Sequence, residues 1–318
     1  MTQEHIVFAF AFILFVIFSL SLNGFFAASN LIVLMRNVAV LGILGVGMAI
    51  VVIGRGIDLS MISVMAVSSA WTLQLLQNGH GLAVALAAGL TCALLTGLVN
   101  GLLIAFVEIP ALFATLATGI FLYGVGKAIL LDLDVIYLPE NIGWFEEIGK
   151  GSLGPIPMSI VLAALTMVLA YLFLSRTRFG RFIYATGDNP LAARITGVPV
   201  RVIITAQYVL ASFIAFAAGI IVATSVSAMN TRIFNSTMIY DVILVVVLGG
   251  IGLSGGKGNI RNVIVGTLLI GILLNGMTIM DIQFTLQNFI KSLILLGAII
   301  LDSVLHPRNE ETAQQGDI

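Results

Sequence analysis

Charge and chemistry-bearing side chains are scarce in these 318 residues: one cysteine, three histidines and only 9% Asp, Glu, Lys and Arg together. Soluble domains carry about 25% charged residues, so no water-facing globular surface can be built from this chain. A soluble enzyme, a nucleic-acid binder and a disordered chain are excluded. The lone Cys92 rules out a disulfide framework. His5, His80 and His306 are scattered without metal-ligand spacing, and no Ser-His-acid or paired-carboxylate set suggests catalysis. Lys and Arg are also missing from Met1–Val7, and no small-residue cleavage site follows Phe8–Leu22. That stretch therefore reads as a first spanning helix and not as a signal peptide.

What remains is apolar, with 59% hydrophobic residues and a mean hydropathy of +1.13. A helix crosses the hydrocarbon core with ~20 apolar residues. Runs of that kind lie at 6–24, 38–54, 57–77, 82–106 and 110–131, then at 156–174, 201–224, 238–253, 261–280 and 286–305. They are continuous and do not alternate, which predicts an all-α polytopic bundle of about ten helices in place of a barrel. The expected organisation is one transmembrane domain over 1–305 and a polar tail over 306–318, with no separate soluble domain.

Lys and Arg in short loops orient the bundle. With the N-terminus inside, the cytoplasmic loops collect Arg55, Arg176, Arg178, Arg181, Arg194, Arg201, Lys257, Arg261 and Arg308, nine of the 14 basic residues. The outer loops receive Arg36, Lys150 and Arg232, and the longest of them, roughly 132–155, is acidic. Both termini are expected in the cytoplasm. Two echoes hint at related halves: Val51–Ser60 resembles Val246–Ser254, and Gly97 with Asn100-Gly101 resembles Gly271 with Asn275-Gly276.

Three stretches interrupt the apolar pattern. Gly54-Arg55-Gly56-Ile57-Asp58-Leu59-Ser60 reads as a helix break, with Asp58 and Ser60 able to cap the next helix. It serves either as a capped turn or as a lining of the solute path. Asn100 and Asn275, each beside glycine, are either packing amides or path contacts. Lys127, Asp241, Asp281 and Lys291 fall near segment ends, where snorkelling or local pairing accounts for them as well as a proton relay does. The inner loop at 175–200 opens with Ser175-Arg176-Thr177-Arg178. It then carries a short helix capped by Asp188 or Asn189 and stopped at Gly197, either a docking knob for a soluble partner or an ordinary interfacial helix. Leu253-Ser254-Gly255-Gly256-Lys257 looks like a nucleotide-binding motif, but Ile251 and Gly258 stand where a phosphate loop needs Gly and Ser or Thr.

In order and spacing, three motifs together resemble the membrane-spanning permease subunits of ribose-type ABC importers, binding-protein-dependent transport systems of the bacterial inner membrane. The match covers roughly 30–305. Gly54–Ser60 is similar to the family's G-G-I-D-L-S stretch, and Leu248–Gly258 to its L-G-G-x-x-L-x-G-G-x-G stretch. Phe179–Asn189, Ala192-Ala193-Arg194 and Gly197-Val198 resemble its F-G-R-x-x-Y-A-x-G-x-N, A-A-R and G-I pattern. Arg55 stands where glycine is common and Leu191 where Glu often starts the alanine-rich helix, so Leu191 is not carried over as a coupling residue.

The resemblance implies a transporter subunit, not an enzyme, that forms the path for a ribose-like or other small carbohydrate. A second permease subunit, identical or different, would complete the path in the bilayer, and an extracytoplasmic binding protein would deliver the sugar. A partner ABC ATPase, holding ATP and Mg, would grip Arg181, Gly187, Asp188, Asn189, Ala192, Ala193, Arg194 and Gly197. Asp58, Ser60, Asn100 and Asn275 are the expected path residues. An ion-gradient-driven transporter using Asp58, Asp241 or Asp281 is the rival reading, and it leaves the docking-type loop unexplained.

Overall fold

The structure, a computed structural model, describes residues 3–140 and 142–305, so the tail expected at 306–318 lies outside the described residues. In chain order the helices are α1 (Gln3–Ser21), α2 (Ala28–Ile53), α3 (Met61–Gln77), α4 (Leu82–Ala105), α5 (Ala111–Val125), α6 (Trp144–Lys150) and α7 (Met158–Arg176). They continue as α8 (Arg178–Asp188), α9 (Pro190–Ile195), α10 (Val200–Ser225), α11 (Met238–Leu248), α12 (Ile260–Ile279) and α13 (Phe284–Leu305). Among the described residues seven are long and apolar enough to cross a membrane by themselves, and α3, α11 and the Phe284–Ile300 part of α13 add shorter apolar stretches. The ten runs read from the sequence are thus helical.

Several boundaries differ from expectation for identifiable reasons. α2 begins at Ala28 and not at 38, because Asn30 and Arg36 dilute its hydropathy without breaking the helix. Arg36 therefore lies on the helix, with its side chain exposed, and not in the outer loop. α11 stops at Leu248, since Gly249 and Gly250 begin a turn in which Gly250 has φ 97. The run at 110–131 is α-helical only to Val125 and finishes as a π-turn over Gly126–Leu130.

Helix α2 is the centre of the bundle. Of its most apolar window 83% is buried, against 11% for α1. The hydrophobic effect does not drive helices together in lipid, so close approach must come from small residues. A Cβ on Gly45 would stand 3.0 Å from both Val245 and Val263, and one on Gly47 would stand 2.7 Å from Met61. α10 and α12 complete the core, while α1, α4, α5 and α7 cover it.

The outer side carries short strands that the hydropathy pattern does not reveal. β1 (Val135–Tyr137) pairs antiparallel with β4 (Ala228–Asn230), Ile136 facing Met229, and β2 (Ser152–Leu153) pairs with β3 (Ile156–Pro157). Asp134 ties this layer down by pairing with Lys127 and with Arg232 Nη2 at 2.6 Å. The hydrogen bond from Lys127, and then that from Arg232, holds its carboxyl below the usual carboxylate value.

Candidate functional site: a backbone seat at the cytoplasmic end

The three motifs that stood out in the sequence meet at one end of the bundle, the end that the Lys and Arg pattern assigns to the cytoplasm. α2 ends at Ile53, and Arg55 follows with φ 70, a left-handed conformation that costs a side-chain-bearing residue about 1–2 kcal/mol. Gly255, Gly256 and Gly258 take φ 78, 70 and 120 in the turn before α12. That turn reaches back so that Gly256 N–H donates to Ile53 C=O at 2.8 Å.

Helix α8 closes the seat. The sequence reading expects loop from Ser175 to Asp188. Instead Thr177 ends α7 and starts a second helix, its Oγ1 accepting from Gly180 N–H at 3.0 Å. Gly187 lies against the seat, where a methyl group would overlap the Ile53 carbonyl oxygen and stand 2.7 Å from Gly256 N. Tyr184 Oη donates to Gly258 C=O at 2.8 Å, and half-burial pushes its phenol pKa up. One helix therefore touches the break after α2 and the break after α11 together.

Beyond the seat, α9 projects outwards. Asn189, and not Asp188, is its cap: Oδ1 accepts from Ala192 N–H at 3.0 Å, with Pro190 in the first turn. Gly197 ends the turn with φ 85. Of the expected coupling residues, Arg181, Asp188, Asn189, Ala192, Arg194 and Gly197 are exposed, whereas Gly187 and Ala193 are buried and face the permease bundle. The prominent apolar side chains here are Leu191, 48% exposed, and Ile195, 86% exposed, four residues apart. Leu191 was set aside in the sequence reading and Ile195 was missed. Two apolar residues at helical spacing in an otherwise polar loop were the available signal.

The expected path residues separate into two groups. Asp58, Ser60 and Asn100 are wholly buried and joined. Thr118 Oγ1 donates to Asn100 Oδ1. Asn100 Nδ2 donates to Ser60 Oγ at 2.8 Å, and Ser60 Oγ donates to Asp58 Oδ1 at 2.5 Å. Asp58 Oδ1 also takes the Ser60 backbone N–H at 2.9 Å, fixing the turn but leaving the first turn of α3 without a side-chain cap. This chain braces α5 and α4 against the break after α2. Gln207 and Tyr208 of α10 press on the break from the other side, against Gly54 and Gly56, where a Cβ would collide with them. Asn275 lies elsewhere. Its amide and that of Asn30 exchange hydrogen bonds of 3.0 Å, joining α12 to α2. The first echo thus links two breaks at the same membrane face, while the second links amides in unlike surroundings.

Known proteins place this architecture. The family model described as branched-chain amino acid transport system / permease component matches residues 30–301. The chain belongs to this permease family. The permease is similar to the ribose import permease protein RbsC of Bacillus subtilis, 33% identical over 291 residues, which is 92% of this chain and 90% of that one. It is likewise similar to the galactofuranose transporter permease protein YtfT of Escherichia coli, 33% identical over 270 residues, 85% of this chain and 78% of that one. The fructose import permease protein FrcC of Rhizobium meliloti is 28% identical over 293 residues, 90% and 81% of the two chains. No solved structure matches. The permease is accordingly a multi-pass inner-membrane component of an ABC importer and no enzyme, working with an ATPase on a separate chain and with a binding protein. This family places the energy source in ATP hydrolysis and removes the ion-gradient reading.

Proposed function

We propose that this permease forms the membrane path for a small carbohydrate, and that α8 and α9 carry the motion of the ATPase to both helix breaks at once. The observation that carries the coupling reading is the Gly256 N–H to Ile53 C=O bond lying directly beneath Gly187. Because that contact is backbone on backbone, movement of α8 has no flexible side chain to absorb it. The exposed face of α9, with Leu191, Ile195 and Arg194, meets the ATPase that binds ATP and Mg. Asp58, Ser60 and Asn100 act as an internal brace for the moving break, and Asn275 as a helix joint, so that neither group touches solute.

Sugar as cargo follows from the ribose, galactofuranose and fructose permeases that the chain resembles. A branched-chain amino acid is the second reading, favoured by the description of the matching family. The test begins with gentle solubilisation of the tagged chain from its native membrane and mass spectrometry of what stays bound. Recovery of an ABC ATPase is expected, and recovery of a different permease would make the pair heteromeric. Uptake of labelled ribose, galactose, fructose and leucine is then measured with ATP present and the ion gradients dissipated. A folded preparation without ATPase, or uptake that collapses with the ion gradient, overturns the proposal, and ATP-dependent uptake of leucine alone selects the second reading.

A further inference from the structure

A mainly apolar groove with a few polar side chains, between α11 and α13, is not used by any step above. Its volume is 290 Å³, near the lower end of the ~300–1,000 Å³ typical of small-ligand sites. Thr237, Asn288 and Lys291 line it. Behind the lining Lys291 Nζ pairs with Asp241 Oδ1 at 2.7 Å, and Lys291 Nζ also donates to Thr237 Oγ1 at 3.3 Å, while Thr237 Oγ1 donates to Asn288 Oδ1 at 3.0 Å. Tyr240 and Ser292 line its wall and are exposed. Lys291 stands two turns, about 10 Å, below the outer end of α13, so these groups lie at membrane depth. Farther in, the lining turns apolar with Leu295 and Ile299.

Two physical arguments decide what occupies such a groove. Ionisable groups inside a membrane are expensive to hold; they face the bundle interior or a water-filled cavity, pair with one another, and mark solute pathways. A buried ion pair gives no more stability than well-packed apolar residues would, so packing does not account for Lys291 and Asp241. The chemistry on offer also fits one class of solute. A sugar presents adjacent hydroxyls that both donate and accept, beside an apolar C–H face. Among the lining residues Lys291 donates, Asn288 and Ser292 do both, and the Tyr240 ring suits the C–H face.

We infer that the outer half of the path runs through this groove and that a monosaccharide is held there by Lys291, Asn288 and Ser292, with Asp241 behind the lining holding the Lys291 ammonium in place. The inference rests on the carbohydrate reading of the preceding section. With the groove filled by water the two charges satisfy one another, and an arriving sugar replaces the water and shares the hydrogen bonds of Lys291.

The test uses the full chain in its native importer, with Cys92→Ala and Ser292→Cys, and a charged, membrane-impermeant methanethiosulfonate applied to intact cells. The expected result is labelling from outside, slowed by the transported sugar in the presence of its binding protein. Labelling should cut ATP-dependent uptake of labelled ribose, galactose or fructose by about tenfold or more. Absence of labelling in an inserted chain, as when lipid or a second permease subunit covers the groove, overturns the inference, and so does labelling that leaves uptake unchanged. The joint variant Asp241→Leu with Lys291→Met, which leaves no charge unpaired, is expected to insert normally and lose uptake to the same extent. Retained uptake in it refutes the role of the pair. The unlabelled Cys92→Ala control separates the two proposals, because failure of that chain to import any of the three sugars defeats the carbohydrate reading itself.

Discussion

Replacing Gly187 by alanine is the sharpest probe of the backbone seat. Taken alone, the change should help, since glycine within a helix costs about 1 kcal/mol relative to alanine. The seat reverses the sign. The new methyl would overlap the Ile53 carbonyl oxygen and stand 2.7 Å from Gly256 N, and both neighbours are backbone. Relief requires α8 to lift, at an overpacking cost of about 1–3 kcal/mol. Lifting also breaks the Gly256–Ile53 hydrogen bond, worth about 1 kcal/mol. The balance is a net loss of about 1–3 kcal/mol, which lowers the population of the seated state by about fivefold to 150-fold. Ala185→Gly is the control: it lies on the exposed face of the same helix and changes propensity without touching the seat. ATP-dependent uptake by inserted transporter should fall by about fivefold or more in Gly187→Ala and change little in Ala185→Gly, with detergent melting curves recorded for both. Normal uptake and an unchanged melting temperature in Gly187→Ala would refute the seat as the coupling contact.

Other outcomes follow from the same geometry. Ile195→Asp should leave insertion intact, because the side chain is 86% exposed, yet lower ATPase recovery in a pull-down by about tenfold, as loss of an interface anchor does. Asn30→Leu or Asn275→Leu alone should lower the melting temperature, a loss of about 0.6–1.7 kcal/mol for an interhelical hydrogen bond in a membrane. The double variant should recover most of it and keep uptake, which sugar-transport assays on all three would check. Asp134 sets a pH dependence of the outer layer. Its folded pKa is depressed, so its contribution is complete above the ordinary carboxylate pKa of about 4 and is lost as pH falls through the lower folded value. Hydrogen exchange at 135–137 and 228–230, corrected for intrinsic rates, should therefore speed up on acidification, and Asp134→Asn should show the faster exchange already at neutral pH.

The spanning helices were legible because lipid demands length and apolarity together, and both are local properties. Helix α8 was not, since its arginines and two glycines, Gly180 and Gly187, give it the composition of a polar inner loop. In the fold each permits a close approach, Gly180 to the backbone of Leu174 and Gly187 to that of Ile53. Asn100 and Asn275 show the limit from another side. Both are amides beside glycine, yet one joins a buried chain through Ser60 and the other finds Asn30, 245 residues away. Lys291 and Asp241 each appear as isolated charges near helix ends, and only the packing of α13 on α11 makes them one pair, with Lys291 at the lining of a groove. Local pattern thus specified the elements, while the site depends on which element each residue meets.

The burial of α2 has a consequence for how the chain is made. The helix that ends up most enclosed is the second to emerge during synthesis, well before α10, α11 and α12, which later surround it. Until they arrive it stays among lipid, an environment its apolar surface tolerates, with Ile53 C=O awaiting an N–H that is translated some two hundred residues later. The cytoplasmic seat is therefore a late-closing junction: the carbonyl that ends the second helix meets its backbone donor only once Gly256, in the turn before α12, has been made.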